Sequence, residues 1–189
     1  MGNLGMTIGY MRYSLWKTLK GKRAKGHYAD VNDIRMYYET YGKIEPLLFL
    51  HGGTAFKESY MFQIPFFTKK YWVITVDSRA HGRSTDSEQP LSYSIMASEI
   101  LGLLDCLNIK KTNLVSWSDG GIIGKEISSI KAPTLVITGK NEELVKEEHT
   151  KNFSRTIPNA KLELVSNTGH FCPMEDPKTV KRLINDVLG

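Results

Sequence analysis

Short, unbroken apolar runs set the frame of this chain. Residues 47–50 and Tyr71–Val76 are hydrophobic stretches too short for helices, the pattern of strands buried on both faces of a parallel sheet. Ile34–Tyr41 alternates poorly, is rich in Tyr and Thr and stops at Gly42, which predicts an outer antiparallel strand. Met96, Ile100, Leu103, Leu104 and Leu107 recur at i, i+4, i+7, i+8 and i+11 and predict an amphipathic helix. Further strands are predicted at 112–117, 134–138 and 162–165. Helices are predicted at 58–67 (interrupted by Pro65), 119–130, 143–156 and 178–188. Alternating β and α elements imply a three-layer, doubly wound α/β architecture with a mainly parallel sheet.

Composition changes this picture little, and charge changes it locally. A chain of 189 residues with 41% hydrophobic side chains fits one ordinary core. The net charge of +5 is concentrated in Lys17, Lys20, Lys22, Arg23 and Lys25, so residues 1–26 read as a basic N-terminal extension and 27–189 as the core. No nucleic-acid-binding signature accompanies these cations, and no nucleic acid partner is expected. Residues 10–19 form a short helical pattern with Met11, Leu15, Trp16 and Leu19 on one side. Packing on the body, or disorder, is favoured there over lipid contact, so no membrane partner is expected.

No run reaches the length of a membrane span, and no apolar core precedes a small-residue cleavage site. The opening Met1-Gly2 lacks the Ser or Thr that an acylation signal carries at position six. Cys106 and Cys172 are the only cysteines and show no C-x-x-C spacing. A reduced, cytoplasmic protein without a metal site or cofactor is the expectation, with Cys172 a small apolar filler.

The chemistry centres on Ser118 in Leu114-Val-Ser-Trp-Ser-Asp-Gly-Gly121. Strand, serine, Gly-rich turn and helix form the nucleophile-elbow pattern, which lifts a hydroxyl above the sheet and aims backbone N–H groups at the reacting oxygen. Small neighbours are needed because strand and helix pass close on either side of the serine. The usual motif is G-x-S-x-G; here Ser116 replaces the first glycine and keeps only its small size.

Four other segments accompany the elbow in a fixed order. Leu47-Leu-Phe-Leu-His-Gly-Gly53 is a strand ending in His-Gly-Gly, and Val73-Ile-Thr-Val-Asp-Ser-Arg-Ala-His-Gly-Arg-Ser84 is a second strand running into a polar loop. After the elbow come Ala132-Pro-Thr-Leu-Val-Ile-Thr-Gly-Lys-Asn-Glu142 and Val165-Ser-Asn-Thr-Gly-His-Phe171. From about Tyr28 to the C-terminus the chain resembles the α/β-hydrolase family, closest to its esterase and iminopeptidase-like branch, whose elbow commonly reads G-W-S-D-G-G.

That resemblance implies a serine hydrolase acting on a small ester or related acyl compound. Ser118 would be the nucleophile, His170 the base and Glu142 the orienting acid, with Glu143 as substitute and Asp77 a distant third. Glu142 stands where the family generally carries Asp in G-x-x-D, so its reach differs by one methylene. Backbone N–H groups of Gly53 and Asp119 would form the oxyanion hole, with His51, Gly52 and Trp117 beside the substrate. Trp117 and Asp119 also have plain roles, in packing and as charge at a helix N-terminus. His81 belongs to the loop Asp77–Ser84, which carries Ala80 where the family has Gly. Arg79 and Arg83 read as braces of that loop in preference to an anion site. His27 and His149 belong to no motif and are expected at the surface.

One interval departs from the family. Glu142 follows Ser118 by only 24 positions, leaving no room for a cap domain or for one further strand–helix unit. The 134–138 strand is therefore expected beside the 112–117 strand, in a minimal, cap-less sheet with a shallow, wet site. A shortened sheet also exposes neighbours that favour burial, which admits a homodimer. The competing reading is a non-catalytic binding protein or truncated pseudoenzyme whose triad the deletion has parted.

Overall fold

Seven strands and seven helices form from these patterns in a computed structural model that describes residues 3–19, 26–127 and 134–189. Lys20, Lys22, Arg23 and Lys25, the last turn of the predicted elbow helix (128–130), and Ala132 and Pro133 lie outside the described residues. Contacts divide the chain into two compact units, residues 10–129 and residues 130–189 together with 1–9.

The larger unit is built on a five-stranded sheet of order β1-β2-β4-β3-β5. β1 (Gly26–Val31) and β2 (Ile34–Tyr41) form an antiparallel hairpin, and β2 runs antiparallel to β4 (Tyr71–Val76). β3 (Glu45–Leu50) lies parallel between β4 and β5 (Asn113–Ser116), with Phe49 opposite Thr75 and Val115. The predicted outer strand is thus second from the edge. β1 escaped notice because only Ala29 and Val31 of its six residues are buried, too few for a legible period.

Alternation explains why β3 and β4 read as unbroken apolar runs. Leu48, Leu50, Ile74 and Val76 point to one face and join Met96, Ile100, Leu103 and Leu104 of helix α3 (Tyr93–Cys106) and Ile123 of α4 (Asp119–Ile127) in one core. On the opposite face Phe49 packs its ring against Tyr60 and Phe67 at 4.8 and 6.1 Å. Those rings come from a 3₁₀ turn, Lys57–Tyr60, and the one-turn helix α2 (Ile64–Phe67), the two pieces into which the predicted 58–67 helix divides. Pro65 sits in the first turn of α2, where its missing N–H costs nothing. Helix α3 starts cleanly because Ser92 Oγ accepts from Ile95 N–H at 3.2 Å.

Helix α1 (Asn3–Leu19) extends well beyond the predicted 10–19. It docks on β2 through Tyr13, whose hydroxyl lies 3.1 Å from that of Tyr41, and through Lys17, which donates to Glu39 at 2.6 Å. Glu39 also pairs with the fully buried Lys57 at 3.1 Å.

In the smaller unit β6 (Leu135–Gly139) pairs parallel with β7 (Lys161–Val165) as a separate two-stranded sheet. The expected pairing of β6 with β5 is not formed among the described residues. β6 and β7 match register over all five positions, so each supplies the ladder partners along one edge of the other. Helices α5 (Glu147–Arg155), α6 (Cys172–Glu175) and α7 (Pro177–Leu188) complete the unit. The first begins four residues later than predicted, because Glu142 folds back on its own chain. Asp176 caps α7 by accepting from Thr179 N–H at 3.1 Å. No described helix is long and apolar enough to cross a membrane.

Candidate active site

Chain geometry at the end of β5 is set by a strained serine. Ser118 has φ of 54°, a left-handed conformation that a non-glycine residue adopts at a cost of roughly 1–2 kcal/mol. The turn is held by Trp117 N–H donating to Leu50 O at 3.2 Å, Gly120 N–H to Trp117 O at 3.0 Å and Gly121 N–H to Ser118 O at 2.8 Å. A Cβ at Gly120 would overlap the backbone carbonyls of Leu50 and His51, so only glycine lets α4 pass this close to β3. Ser116, standing where a glycine is usual, is accommodated from the helix side. A Cβ on Gly124 would lie 3.5 Å from its hydroxyl and 2.7 Å from Leu114 Cδ2, and one on Gly121 3.9 Å from the same hydroxyl. Glycines on α4 supply the room that the strand position does not.

The loop leaving β3 lies against this turn. A side chain on Gly52 would meet Ser118 Cβ at 2.8 Å and the Trp117 ring at 3.1 Å, and one on Gly53 would overlap the Asp119 carboxylate. Among the described residues, the N–H groups of Gly53 and Asp119 meet no acceptor. Asp119 Oδ1 accepts from the Tyr93 hydroxyl at 3.1 Å. Two donors therefore stand unengaged beside the strained serine.

Two histidines brace that loop. His51 Nε2 accepts from Ser78 N–H at 2.9 Å, so Nδ1 carries the proton and donates to Gly52 O at 2.7 Å. His81 Nε2 accepts from Thr54 N–H at 3.2 Å while Nδ1 donates to Arg79 O at 2.6 Å. Burial pushes the His51 pKa down, its bond to the Gly52 carbonyl opposing, which suits a ring needed neutral. The loop after β4 is itself fastened. Asp77 accepts from Lys57 N–H and Arg83 N–H, both at 3.0 Å. Fully buried Arg79 binds Glu99, Asp33 and Ser87. Arg83 pairs with Asp77 and Glu58 and stacks on Tyr37. Both arginines meet carboxylates. Sequence reasoning placed the histidines in their loops, but which nitrogen meets which N–H had no signal in one dimension.

An acid and a base meet in the smaller unit. The loops after β6 and β7 are tied by Lys140 N–H to Val165 O and Asn141 N–H to Thr168 O, each at 2.9 Å. Gly139 is required there, since a Cβ would overlap the Thr168 and Gly169 backbone. His170 Nδ1 lies 2.9 Å from Glu142 Oε2, and Glu142 Oε1 accepts from Leu144 and Val145 N–H at 2.7 and 3.1 Å. Burial pushes the Glu142 carboxyl up, but those two N–H groups and His170 outweigh it and hold it below the ordinary carboxylate range. A carboxylate only accepts, so His170 Nδ1 is the protonated nitrogen and Nε2 the basic one. Exposed Glu143 makes no bond to His170 and lines a cleft of ≈ 330 Å³ with Asn141, Leu144, Gly169, His170 and Phe171. Burial, followed by the charges of Glu175 and Glu142, raises the Cys172 thiol to about 12, leaving it inert as a nucleophile. His27 and His149 are exposed. No three His, Cys, Asp or Glu side chains converge as a metal site among the described residues.

Residues 45–125 match the family model described as alpha/beta hydrolase fold. The chain is 29% identical over 104 residues to 3-oxoadipate enol-lactonase 2 of Acinetobacter baylyi, covering 52% of this chain and 39% of that protein. It is 30% identical over 105 residues to (E)-2-((N-methylformamido)methylene)succinate hydrolase of the same organism, covering 56% and 40%. The chain thus spans about two fifths of the length of the curated relatives it matches. Among solved structures, a thermophilic esterase from Thermogutta terrifontis superposes with a TM-score of 0.79 at 17% identity, over 87% of this chain and 98% of that one. At that identity the superposition speaks for the fold.

Proposed function

Since this chain is a member of the α/β-hydrolase fold family, we propose that it is a serine hydrolase cleaving a small ester, lactone or related acyl compound through an acyl-enzyme. The observation that carries the reading is Ser118 held at φ 54° beside two unengaged N–H donors. A structural serine has no need of that strain, and strained residues gather where chemistry is done.

In the proposed cycle Ser118 Oγ attacks the acyl carbon while His170 Nε2 takes the hydroxyl proton. Glu142 holds the ring by Nδ1 and balances the imidazolium charge. Negative charge on the former carbonyl oxygen is received by Gly53 and Asp119 N–H, each such donor being worth roughly 2.7–4 kcal/mol in the transition state. Collapse expels the alcohol, which leaves with the proton from His170. Water then attacks the acyl-enzyme, giving up its proton to His170, and the acid is released as Ser118 regains its own. Gly52 and Trp117 would border the acyl group, with His51 holding the loop from behind. No metal or cofactor enters the scheme. In this reading residues 27–189 are the hydrolase core, and 1–26 a basic appendage docked on β2 through Tyr13.

Relatives named for an enol-lactone and for a methylene-succinate amide support a small, activated acyl substrate. Labelling with a fluorophosphonate, with Ser118→Ala as control, is the direct test. Covalent modification that the substitution abolishes is expected. A folded protein that takes up no label would instead favour the non-catalytic binding protein, a reading supported by the pairing of β6 with β7 and not with β5.

A further inference from the structure

Helix α1 is apolar on two sides, and only one of them is used. Tyr13, 3% exposed, and Trp16, whose ring lies 5.5 Å from that of Tyr41, face the sheet. At ~100° per residue Ile8, Met11, Leu15 and Leu19 fall within about 80° of one another on the other side. They are 46, 65, 59 and 62% exposed. Exposed Ser14 and Thr18 on one flank and Arg12 on the other bound the stripe, and a continuous exposed apolar row rimmed by polar residues marks an interaction surface. It is also the longest continuous row of exposed large apolar side chains on any described helix.

Charge identifies the surface. Residues 1–29 contain six Lys and Arg and no Asp or Glu, whereas residues 30–189 contain 19 Lys and Arg against 20 Asp and Glu. All of the excess positive charge therefore belongs to this one segment. Lys17 is engaged by Glu39. Arg12 is exposed at the border of the stripe, and Lys20, Lys22, Arg23 and Lys25 follow Leu19 directly in sequence. An apolar stripe bordered and followed by cations, with no acid among them, matches the boundary of an anionic bilayer: hydrocarbon for the stripe, lipid phosphate and carboxylate for the cations. A second copy of the chain would offer its own stripe but would bring five further like charges against these.

We propose that the outer face of α1, with the cations that follow it, docks this protein in the plane of an anionic lipid surface. The sequence pattern put Met11, Leu15, Trp16 and Leu19 on one side and favoured packing on the body, or disorder, over lipid contact. Tyr13 and Trp16 do that packing, and the remaining three are left outside with Ile8. The contact is peripheral and independent of the hydrolytic reading.

Flotation of the 189-residue chain with phosphatidylcholine vesicles, with and without phosphatidylserine, tests this. The protein is expected to float with the anionic vesicles at low salt, at least about tenfold less with phosphatidylcholine alone, and to be released at high salt. Leu15→Glu combined with Leu19→Glu should lower the bound fraction at least about tenfold. Changing Lys20, Lys22, Arg23 and Lys25 to Gln should do the same while leaving the stripe intact. Circular dichroism establishes that each variant is folded, and the salt series on the unaltered chain needs no variant. Fluorophosphonate labelling in solution should be the same for all, which separates failure here from failure of the hydrolase reading. Absence of flotation, equal binding to both vesicle types, or binding indifferent to both sets of substitutions overturns the proposal. So does self-association dispersed by Leu15→Glu without any lipid binding, which assigns the face to a second copy.

Discussion

Glu142 reaches His170 with one carboxylate oxygen, at 2.9 Å, and its own chain with the other, through the N–H groups of Leu144 and Val145. The acid is thereby fixed in place before it orients anything. Glu142 stands five residues ahead of α5, and Leu144 and Val145, which precede the helix, turn their N–H groups to its carboxylate.

If Glu142 orients His170, then Glu142→Gln lowers kcat by roughly 10²–10⁴ with little change in KM, because the imidazolium loses its counter-charge only in the transition state. Glu143→Gln changes kcat less than about threefold. Steady-state kinetics on p-nitrophenyl acetate measure both. The reverse order would move the role to Glu143.

Burial pushes the Glu39 carboxyl up, but hydrogen bonds from Lys17, Tyr37 and Tyr41 and the charge of Lys57 outweigh it and bring it down to about 2. A depressed carboxyl stabilises the fold above its unfolded value, and that contribution is lost as pH falls from the ordinary range toward about 2. Glu39→Gln should cost about 1.5–3 kcal/mol at neutral pH, since it removes one of the two carboxylates that pair with fully buried Lys57, Glu58 being the other. Thermal melts from pH 7 down to 2 should show the difference between variant and parent shrinking with acid. A constant difference would argue that Glu39 matters only through packing.

Strain at Ala80, with φ of 60°, serves no part of the proposed chemistry. Ala80→Gly should raise stability by about 0.5–1 kcal/mol, the relief of the left-handed conformation less the added freedom of the unfolded chain. For a chain of this size that is a rise in Tm of about 1–4 °C, with kcat unaltered. Ser118→Gly should give a similar gain while abolishing fluorophosphonate labelling. A fall in Tm for both would mean that the side chains make contacts worth more than the strain.

If the short interval between Ser118 and Glu142 leaves the proposed site without an apolar lid, substrate length should matter. Acetyl and butyryl p-nitrophenyl esters should turn over at least about tenfold faster, by kcat/KM, than esters of twelve carbons or more. Equal rates across the series would count against a site without an apolar lid.

The chain's local patterns settle a good deal by themselves. Residues 47–50 and Tyr71–Val76 announce strands covered on both faces, because a parallel strand's two faces are both apolar and need no partner information to be recognised. Ser118 with Gly120 and Gly121 announces a sharp turn, because small residues are demanded wherever backbones approach. Pairing is another matter. β6 has the same apolar character whether it lies beside β5 or beside β7, and the match of five residues with Lys161–Val165 is a long-range choice that no window of sequence contains. The same holds for Gly124 making room for Ser116, for His51 and His81 each receiving an N–H from a distant loop, and for Lys57 finding Glu39. α1 shows the division within one element. Its helical period is local, but which of its two apolar sides turned inward was decided by Tyr41 and Glu39, residues it meets only once the sheet has formed.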